Sequence, residues 1–302
     1  MSKKLKFSVV IPSLNRPESL EKCLESFTLL EYPADAWELI VVNDGGLESF
    51  EAVTDELKNR LPLKLIDIDH AGPATARNKG FGQSRGKYIA FTDDDCRVEP
   101  DWLSRFEEGF DSGSWDALGG RALNPYMDNA AAVSWHQIID FLYDYLQDNT
   151  GNSLLLISNN AAYRRSVFEA LGGFDESFPF AGGEDIELSH RLIAGGFRQR
   201  YLPDAKTLHY HKRLIMLKFL SRQFRYGRGY CYYIEALKKN NISRNKLIKP
   251  RSDTPFKVAF LQSLCRNRVS PTVWLLTCLS QFIVHPAGLY YQTICNRAGF
   301  TA

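Results

Sequence analysis

The 302-residue chain lacks several signatures that would place it in common protein classes. None of its six cysteines forms a C-x-x-C pair, which excludes a zinc ribbon or a thioredoxin-like redox motif. No G-x-G-x-x-G or P-loop follows the first apolar run, which argues against the phosphate cradles of NAD- and ATP-binding proteins. That run, Phe7–Pro12, is also too short for the apolar core of a signal peptide. We therefore expect a reducing, cytoplasmic location.

Acidic residues are scarce in the last third of the chain. Residues 206–302 contain 17 lysines and arginines but only 2 acidic residues, whereas residues 1–205 contain 20 and 33. An acidic region is typical of metal or carboxylate chemistry, and a basic region with aromatic side chains favours phosphates or an anionic membrane. A nucleic-acid partner is not expected, because no recognised nucleic-acid-binding module accompanies the basic region.

Short, mostly apolar segments alternate with helical patterns over the first 125 residues. The apolar segments are Phe7–Pro12, Trp37–Asn43, Leu63–Ile68 and Lys87–Thr92. Strands of this kind are buried on both faces, so the pattern predicts βαβ units around a mostly parallel sheet with flanking helices. Ligands bind at the carboxyl ends of the strands in such sheets, and the polar residues that follow each strand should converge there.

The later part of the chain has a different pattern. We expect a strand at Leu154–Tyr163, a helix at Ile186–Ala194 and two short strands at Phe197–Leu202 and Lys206–His211. Beyond residue 213 the pattern predicts basic helices.

Three consecutive carboxylates, Asp93, Asp94 and Asp95, follow the fourth predicted strand. Like charges at the end of a buried strand repel each other unless a cation lies between them. Mg²⁺ and Mn²⁺ prefer oxygen ligands and complete their coordination with substrate phosphates. A solvated acidic turn that caps the next helix is the simpler alternative, but the position at a strand's carboxyl end favours the metal site.

A second acidic motif, Gly182-Gly183-Glu184-Asp185, precedes a predicted helix. Acidic residues are stabilised at a helix N-terminus, so the motif alone could be a cap. The two glycines also indicate a mobile loop that brings a carboxylate to a substrate, where it could act as a general base toward an acceptor hydroxyl.

Two further groups suit anions and metals. Arg77, Asn78 and Lys79 lie near the start of a helix that opens at Gly72-Pro73, a position that suits a diphosphate. His209 lies where the acidic part of the chain gives way to the basic part, and its imidazole is either an extra Mn²⁺ ligand or an ordinary packed side chain.

Together these stretches resemble the family 2 glycosyltransferases of the GT-A fold. The resemblance covers about residues 7–211, in the family's order. The matching segments are SVVIPSLNRPESLEKCLESF, ELIVVNDGG, GPATARNKGF, KYIAFTDDDCRVEPDWL, NNAAYRRSVFEALGGFDESF and GGEDIELSHRL. The resemblance implies an α/β fold with a Rossmann-like, mostly parallel sheet. We expect a catalytic domain at 1–211, nucleotide-binding over 1–125 and acceptor-side over 126–211, and a helical C-terminal region at 212–302.

The resemblance also assigns roles to individual residues. Those that would contact the nucleotide of the donor are Pro12, Ser13, Asn15 and Arg16 at the base and ribose, Asp44 at the base, and Arg77, Asn78 and Lys79 near the ribose or diphosphate. Asp93 and Asp95 would form the D-x-D motif, with Asp94 between them. Asp95 would be the direct ligand of the metal, and Asp93 and His209 would also hold it. Asp185, with Glu184 beside it, would supply the catalytic base.

The implied activity is that of an inverting hexosyltransferase that needs Mn²⁺ or Mg²⁺. It would move a sugar from a nucleoside-diphosphate sugar, most often a UDP sugar, to a hydroxyl of a glycan or lipid-linked acceptor of the cell envelope. One alternative is an inactive protein that binds nucleotide sugars or acts as a membrane scaffold, although both acidic motifs are intact. Another is a nucleotidyltransferase, but its glycine-rich, lysine-containing loop is replaced here by Pro12–Arg16.

The basic C-terminal region matches no catalytic motif. Arg222, Arg225 and Arg228 recur every three residues among aromatic side chains. They form either a helix face packed on the core or a cationic surface for an anionic lipid or a lipid-diphosphate acceptor. We expect the region 212–297 to bring the enzyme to the inner face of the cytoplasmic membrane as a peripheral protein.

No Asp, Glu, Lys or Arg occurs from Val269 to Asn296, a stretch long enough to span a membrane. Its polar residues recur at helical spacing, which predicts an amphipathic helix that packs on the domain or lies in the membrane plane. The stripe consists of Thr277, Gln281, His285, Gly288 and Gln292.

Overall fold

The computed structural model describes residues 5–149, 151–210, 215–242 and 254–297. Eight strands form one sheet in the order β3-β2-β1-β4-β7-β6-β8-β5. The strands are β1 Phe7–Ser13, β2 Trp37–Asp44, β3 Leu63–Ile68, β4 Tyr88–Thr92, β5 Cys96–Val98, β6 Ala117–Leu123, β7 Asn160–Arg164 and β8 Gln199–His209. The helices of the first 210 residues are α1 Pro17–Phe27, α2 Glu51–Leu57, α3 Pro73–Gly82, α4 Trp102–Asp111, α5 Ala130–Tyr145, α6 Arg165–Leu171 and α7 Glu184–Ala194. Those that follow are α8 Met216–Lys239, α9 Phe256–Arg266, α10 Pro271–Leu279 and α11 His285–Arg297.

The half of the sheet from β3 to β4 is parallel throughout. Every residue of β1 and β2 is buried, because helices cover both faces of the sheet. One apolar core joins α1, α2 and α4 to the sheet, and a second joins α3, α6 and α7 to its other face. The predicted α/β fold with flanking helices is confirmed.

The other half of the sheet is mixed. Strand β7 runs antiparallel to both β4 and β6, and β5 runs antiparallel to β8. The two short strands predicted at Phe197–Leu202 and Lys206–His211 are a single strand, β8, whose register against β6 shifts between Gly120 and Arg121. The last residue of that prediction, His211, and the predicted domain boundary beside it lie outside the described residues.

The strand predicted at Leu154–Tyr163 is wrong over its first half, because β7 begins only at Asn160. The backbone N–H of Leu156 donates to the Ser189 hydroxyl at 3.0 Å, and that of Ile157 donates to the Tyr143 hydroxyl at 3.0 Å. Because side chains satisfy these amides, the segment needs no neighbouring strand. It turns instead into the loop that precedes β7.

The C-terminal helices pack onto the rest of the fold. A third apolar cluster joins α5 to α8, α9 and α10. Helices α8 and α11 approach each other at two glycines: a Cβ at Gly227 would overlap the carbonyl oxygen of His285, and one at Gly288 would overlap that of Phe224. Glycine is required at both crossings because no side chain fits between the two backbones.

Helix α10, a π-helical segment at Ser280–Val284 and α11 form one continuous helix over Pro271–Asn296. Its predicted polar stripe turns toward the protein: Thr277 and Gln292 are 0% exposed, whereas Leu275, Ile283 and Tyr290 are 65%, 61% and 70% exposed. Among the described residues this is the one helix long and apolar enough to cross a membrane, and 28% of its most apolar window is buried in the fold. The helix is amphipathic as predicted, with its apolar side outward.

Candidate active site

A cavity of about 360 Å³ lies beyond the carboxyl end of β4. Its walls come from the loop after β4, the N-terminal half of α3, the turn before β7, the start of α7, the end of β8 and the C-terminal helices. The predicted catalytic, nucleotide-contacting and metal-binding residues that line it are Arg16, Arg77, Asp93, Asp95, Glu184, Asp185 and His209. The two acidic motifs, about 90 residues apart in the chain, therefore face one space.

The middle carboxylate of the first motif lies beneath the cavity. Asp94 is 0% exposed, accepts a hydrogen bond from the Ser13 hydroxyl at 2.5 Å and pairs with the Arg16 guanidinium at 2.6 Å. Burial raises the pKa of Asp94 to about 7, against the effect of Arg16. Both Asp94 and Ser13, expected beside the nucleotide, thus support the motif from inside the protein.

Asp95 and His209 bring an oxygen and a nitrogen together at the cavity wall. The Asp95 Oδ1 and His209 Nε2 atoms are 3.2 Å apart, and Arg16 holds the other Asp95 oxygen at 3.1 Å. Asn159, in the turn before β7, lies 3.3 Å from the opposite ring nitrogen of His209 and fixes the ring. These donors suit Mn²⁺ or Mg²⁺.

The thiol of Cys96 is near the same two residues but is poorly suited to bind the cation. One ligand atom each from Asp95, Cys96 and His209 lie within 4.8 Å of one another. Burial raises the pKa of the Cys96 thiol well above its usual range, so the thiol stays protonated at neutral pH. The Asp95 oxygen and the His209 nitrogen are therefore the better suited donors for a hard cation at this place.

Arg77 connects the two acidic motifs. Its guanidinium donates to Asp93 at 2.9 Å and pairs with Glu184 at 3.6 Å, and the side chain is almost completely buried. A buried arginine between carboxylates offsets the repulsion that would otherwise separate them. It also supplies positive charge at the point where a diphosphate would meet the motifs.

Glu184 and Asp185 begin α7 but have different surroundings. Glu184 is buried and accepts the backbone N–H of Gly182 at 2.6 Å, so it fixes the loop in front of the helix. That loop needs glycine, since Gly182 and Gly183 have φ values of 144° and 104°. Its path also depends on α8, because a Cβ at Gly229 would overlap the carbonyl oxygen of Gly182.

Asp185 has the properties of a general base. Removal from water, together with the charge of Glu184, raises the pKa of Asp185 to about 7, while Arg77 and a hydrogen bond from Ser158 oppose the shift. Its buried Oδ1 atom has no hydrogen-bond partner among the described residues, and the residue lines the cavity. A carboxylate with such a pKa can accept a proton near neutral pH.

Other predicted nucleotide contacts are used within the protein. The Asp44 carboxylate accepts the backbone N–H groups of Ala71 at 2.8 Å and Gly72 at 3.0 Å, which shapes the loop before α3. Asn15, with a φ of 52°, accepts the N–H of Leu47 at 2.7 Å. Pro12 is buried within β1.

Of the three candidates on α3, only Arg77 lines the cavity. Successive helical residues are rotated by about 100°, so Asn78 and Lys79 point elsewhere. The Asn78 amide donates to the carbonyl of Phe174 and accepts its N–H, both at 2.9 Å, and thereby ties α3 to the loop after α6. Lys79 is exposed to solvent.

The structure adds lining residues that the sequence motifs did not indicate. Ser158 and Asn159 come from the turn that was expected to be a strand. Trp135 comes from α5, and the C-terminal helices contribute Arg222, Gln223, Arg225, Tyr226, Tyr230, Gln281 and His285. The spacing of the arginines among aromatics was the one signal in the sequence that pointed to this wall.

An α/β sheet with flanking helices, and two acidic motifs that face one cavity beyond the carboxyl end of β4, are the features of a glycosyltransferase of the GT-A fold. The model of the family described as Glycosyl transferase family 2 matches residues 8–172, which is more than half of the chain. The protein therefore belongs to glycosyltransferase family 2, as the sequence motifs indicated.

Several curated proteins are similar in sequence. Glycosyltransferase AglE of Haloferax volcanii is 27% identical over 225 residues, covering 74% of this chain and 72% of AglE. Putative glycosyltransferase EpsH of Bacillus subtilis is 26% identical over 271 residues, covering 85% and 75%. Poly(ribitol-phosphate) β-N-acetylglucosaminyltransferase TarS of Staphylococcus aureus is 26% identical over 266 residues, covering 74% of this chain and 45% of TarS. These relatives support glycosyltransferase activity.

Solved structures share the fold. The mannosyltransferase PcManGT from Pyrobaculum calidifontis, in complex with GDP-Man and Mn²⁺, superposes with a TM-score of 0.60 at 16% identity, covering 97% of this chain and 84% of the other. Residues 1–349 of S. aureus TarS, in complex with UDP-GlcNAc, superpose with a TM-score of 0.57 at 15% identity, covering 98% and 92%. At these identities the likeness is one of fold.

Proposed function

We propose that the protein is an inverting, metal-dependent glycosyltransferase that moves a hexose from a nucleoside-diphosphate sugar to a hydroxyl of a glycan or lipid-linked acceptor. UDP sugars are the first donors to test. The observation that carries this proposal is the shared cavity, in which Asp185 faces the same space as Asp95 and His209. Arg77 joins the two sides at 2.9 and 3.6 Å. A donor diphosphate and an acceptor hydroxyl can thus meet between them.

Each residue has a defined part in the proposed reaction. Asp185 accepts the proton of the acceptor hydroxyl while that oxygen attacks the anomeric carbon. A single displacement of this kind inverts the configuration at the carbon. Arg77 holds Asp93 and Glu184 and presents positive charge toward the departing diphosphate.

The donor set fits a divalent cation, as the 3.2 Å approach of the Asp95 oxygen and the His209 nitrogen indicates. Asp95 and His209 would hold the ion, with Asp93 at the same edge of the cavity. When bound, such an ion neutralises the negative charge of the leaving nucleoside diphosphate.

The proposal predicts an acidic limb in the pH profile of kcat. Because Asp185 acts as a base only when deprotonated, activity should fall as the pH drops through about 7, the raised pKa of this carboxyl. Glu184→Gln removes the neighbouring negative charge, so the pKa of Asp185 should fall and the acidic limb should move to lower pH. Initial rates between pH 5 and 9 measure this shift.

A matched control for that variant is Glu176→Gln, which makes the same charge change at an exposed residue outside the cavity lining. We expect it to leave the limb in place. A limb that stays unchanged in Glu184→Gln, or moves to higher pH, would contradict the assignment of Asp185 as the titrating base.

The donor is tested by the release of nucleoside diphosphate from a panel of nucleotide sugars in the presence of Mn²⁺. The panel includes UDP and GDP sugars, since TarS was crystallised with UDP-GlcNAc and PcManGT with GDP-Man. Support for a UDP sugar comes from TarS, which is similar in both sequence and fold. The panel tests this preference, because release from GDP sugars alone would overturn the choice of UDP.

The alternative is an inactive protein that binds nucleotide sugars or serves as a membrane scaffold. The Oδ1 atom of Asp185, which has no hydrogen-bond partner among the described residues, and the pKa of about 7 speak for catalysis, because neither is needed for binding alone. Donor binding without any nucleoside-diphosphate release across the whole panel would favour the alternative.

Membrane association is proposed for the outward side of Pro271–Asn296. Its exposed apolar side chains include Leu275, Ile283 and Tyr290, and the region around it is strongly basic. Apolar insertion combined with attraction to anionic lipids is typical of proteins that lie on the membrane surface. We place the protein at the inner face of the cytoplasmic membrane.

The triple variant Leu275→Asp, Ile283→Asp and Tyr290→Asp should lower binding to phosphatidylcholine–phosphatidylglycerol vesicles by about tenfold or more, because each buried apolar side chain contributes on the order of 1 kcal/mol. Cosedimentation of the full chain measures the loss. Leu47→Asp, at a fully exposed leucine remote from this helix in the chain, is the control. Equal sedimentation of the triple variant and the wild type would refute the membrane face.

A further inference from the structure

The C-terminal helices form one wall of the active-site cavity, which we name the C-terminal wall. It consists of Arg222, Gln223, Arg225 and Tyr226 from α8, Gln281 from the π-helical segment and His285 from α11. The family model matches residues 8–172, and the wall comes from residues that follow it in the chain. Asp185 borders the same cavity. The wall is therefore placed to contact whatever Asp185 deprotonates.

Gln223 carries an unused hydrogen-bond donor. The side chain is 2% exposed, and its Oε1 atom accepts a hydrogen bond from Gln281 at 2.9 Å. With the two amides in this orientation, the Nε2 atom of Gln223 has no partner among the described residues. A buried donor left without a partner destabilises the protein. An oxygen of a bound molecule would satisfy it.

The C-terminal wall is cationic. Residues 206–302 contain only two acidic residues, Glu235 and Asp253, and Glu235 is not among the residues that line the cavity. No described residue forms an ion pair with Arg225, which is exposed at the cavity's edge one helical turn from Arg222. The arginines that hold Asp95 and Asp93 are by contrast already paired. A guanidinium without a protein counter-ion beside a cavity suits a phosphate or a carboxylate.

Aromatic and apolar surface from α5 lies beside the C-terminal wall. The Trp135 and Tyr226 rings pack with centroids 5.3 Å apart, and Arg222 lies 5.8 Å above the Trp135 ring. Ile138, from the same helix as Trp135, lines the cavity beside them. Sites of this composition, mostly apolar with a few placed polar groups, bind and orient small molecules. The apolar faces of a sugar ring fit an aromatic surface, and its hydroxyls fit the amide of Gln223.

We propose that the C-terminal wall is an acceptor subsite that selects a sugar bearing an acidic group. The amide of Gln223 donates to an oxygen of the acceptor sugar, and Arg225, together with Arg222, binds its anionic group. This inference rests on the proposed function, because the subsite holds the hydroxyl that Asp185 activates. The anion is either a carboxylate of an acidic sugar or a phosphate that links a sugar to a lipid.

Three probes test the subsite by saturation-transfer NMR: methyl β-D-glucuronide, α-D-glucose 1-phosphate and methyl β-D-glucoside. Titrations use the full chain with Mg²⁺, both with and without UDP. We expect at least one acidic probe to bind about tenfold more tightly than the neutral glucoside. Arg225→Ala should abolish that preference, Gln223→Ala should weaken every probe, and Arg225→Lys should restore part of the preference.

Lys238→Ala is the matched control, because it removes a positive charge from an exposed position of the same helix. Its binding should equal that of the wild type. Thermal unfolding of each variant shows whether the fold is retained, and Arg225→Lys keeps the test valid if Arg225→Ala unfolds. Tighter binding of the glucuronide indicates an acidic sugar as the acceptor, and tighter binding of the sugar phosphate indicates a lipid-linked one.

Two results would overturn the subsite. One is equal binding of acidic and neutral probes to the wild type. The other is a preference for acidic probes that survives both Arg225→Ala and Gln223→Ala, since the probe would then lie elsewhere, such as the donor side. Failure of the proposed function is seen separately, as an absence of nucleoside-diphosphate release from the donor panel, which the NMR titrations do not require.

Discussion

Replacing Asp185 with asparagine should lower the rate of sugar transfer by about 10²–10⁴-fold, the usual contribution of a general base. The side chain keeps its size and can still accept a hydrogen bond from Ser158, but it can no longer take the proton of the acceptor hydroxyl. Donor affinity should remain, because Arg77, Asp95 and His209 are unaltered. Single-turnover transfer and calorimetric titration of the donor separate the two quantities.

The control for this variant is Asp128→Asn, which makes the same change at an exposed position before α5. It should have the activity of the wild type. If Asp185→Asn lost donor affinity to the same extent as transfer, Asp185 would hold the donor or the metal, and the base would have to be sought elsewhere in the cavity.

Replacing Asp95 with alanine should remove the metal dependence of donor binding. The variant loses the oxygen that lies 3.2 Å from His209 and leaves a lone imidazole at the proposed metal site. We expect the dissociation constant of the donor measured with Mn²⁺ to rise about tenfold to a hundredfold, until it equals the value measured without metal. Each factor of ten corresponds to a loss of about 1.4 kcal/mol of binding free energy. Calorimetric titrations with Mn²⁺ and with a chelator give both constants.

Asp101→Ala serves as the control, since Asp101 is a partly exposed carboxylate that pairs with Arg105 at 2.7 Å on the helix after the motif. The metal dependence of donor binding should persist there. If Asp95→Ala responded to Mn²⁺ as strongly as the wild type does, Asp95 would not be the ligand, and Asp93 would be the next carboxylate to test.

The sequence was most informative where one local property decides the structure. Strands β1 and β2 consist mostly of apolar residues and alternate with helical patterns, so burial on both faces and parallel pairing could be predicted from the sequence. The glycines before Glu184 are also a local feature, since their positive φ values are ones that glycine adopts freely, although the sequence analysis interpreted them only as a mobile loop. Such features depend on a few neighbouring residues.

The orientation of individual side chains was harder to predict. Motif spacing places Asp93, Asp94 and Asp95 together, but which of them faces the cavity depends on how the chain turns after β4. The structure directs Asp94 to Ser13 and Arg16 in the interior. Asn78 likewise follows Arg77 in the sequence, yet the helical rotation turns its amide toward Phe174.

Contacts between distant parts of the chain were the least predictable. The polar stripe of Pro271–Asn296 predicted an amphipathic helix but not which side faces the protein, and in the structure Thr277 and Gln292 are buried in the fold. The sequence of that segment does not indicate that α8 supplies polar partners for it. Arg228 of α8, for example, donates to Gln292 at 2.8 Å. The same long-range packing brings Gln223 to the cavity.

The stereochemistry of donor cleavage tests the central claim most directly. With an α-linked nucleotide sugar that the enzyme accepts and water as the acceptor, ¹H NMR can identify the anomeric proton of the released sugar before it equilibrates. A single displacement assisted by one base predicts that the β anomer forms first. Initial formation of the α anomer would contradict the mechanism assigned to this cavity.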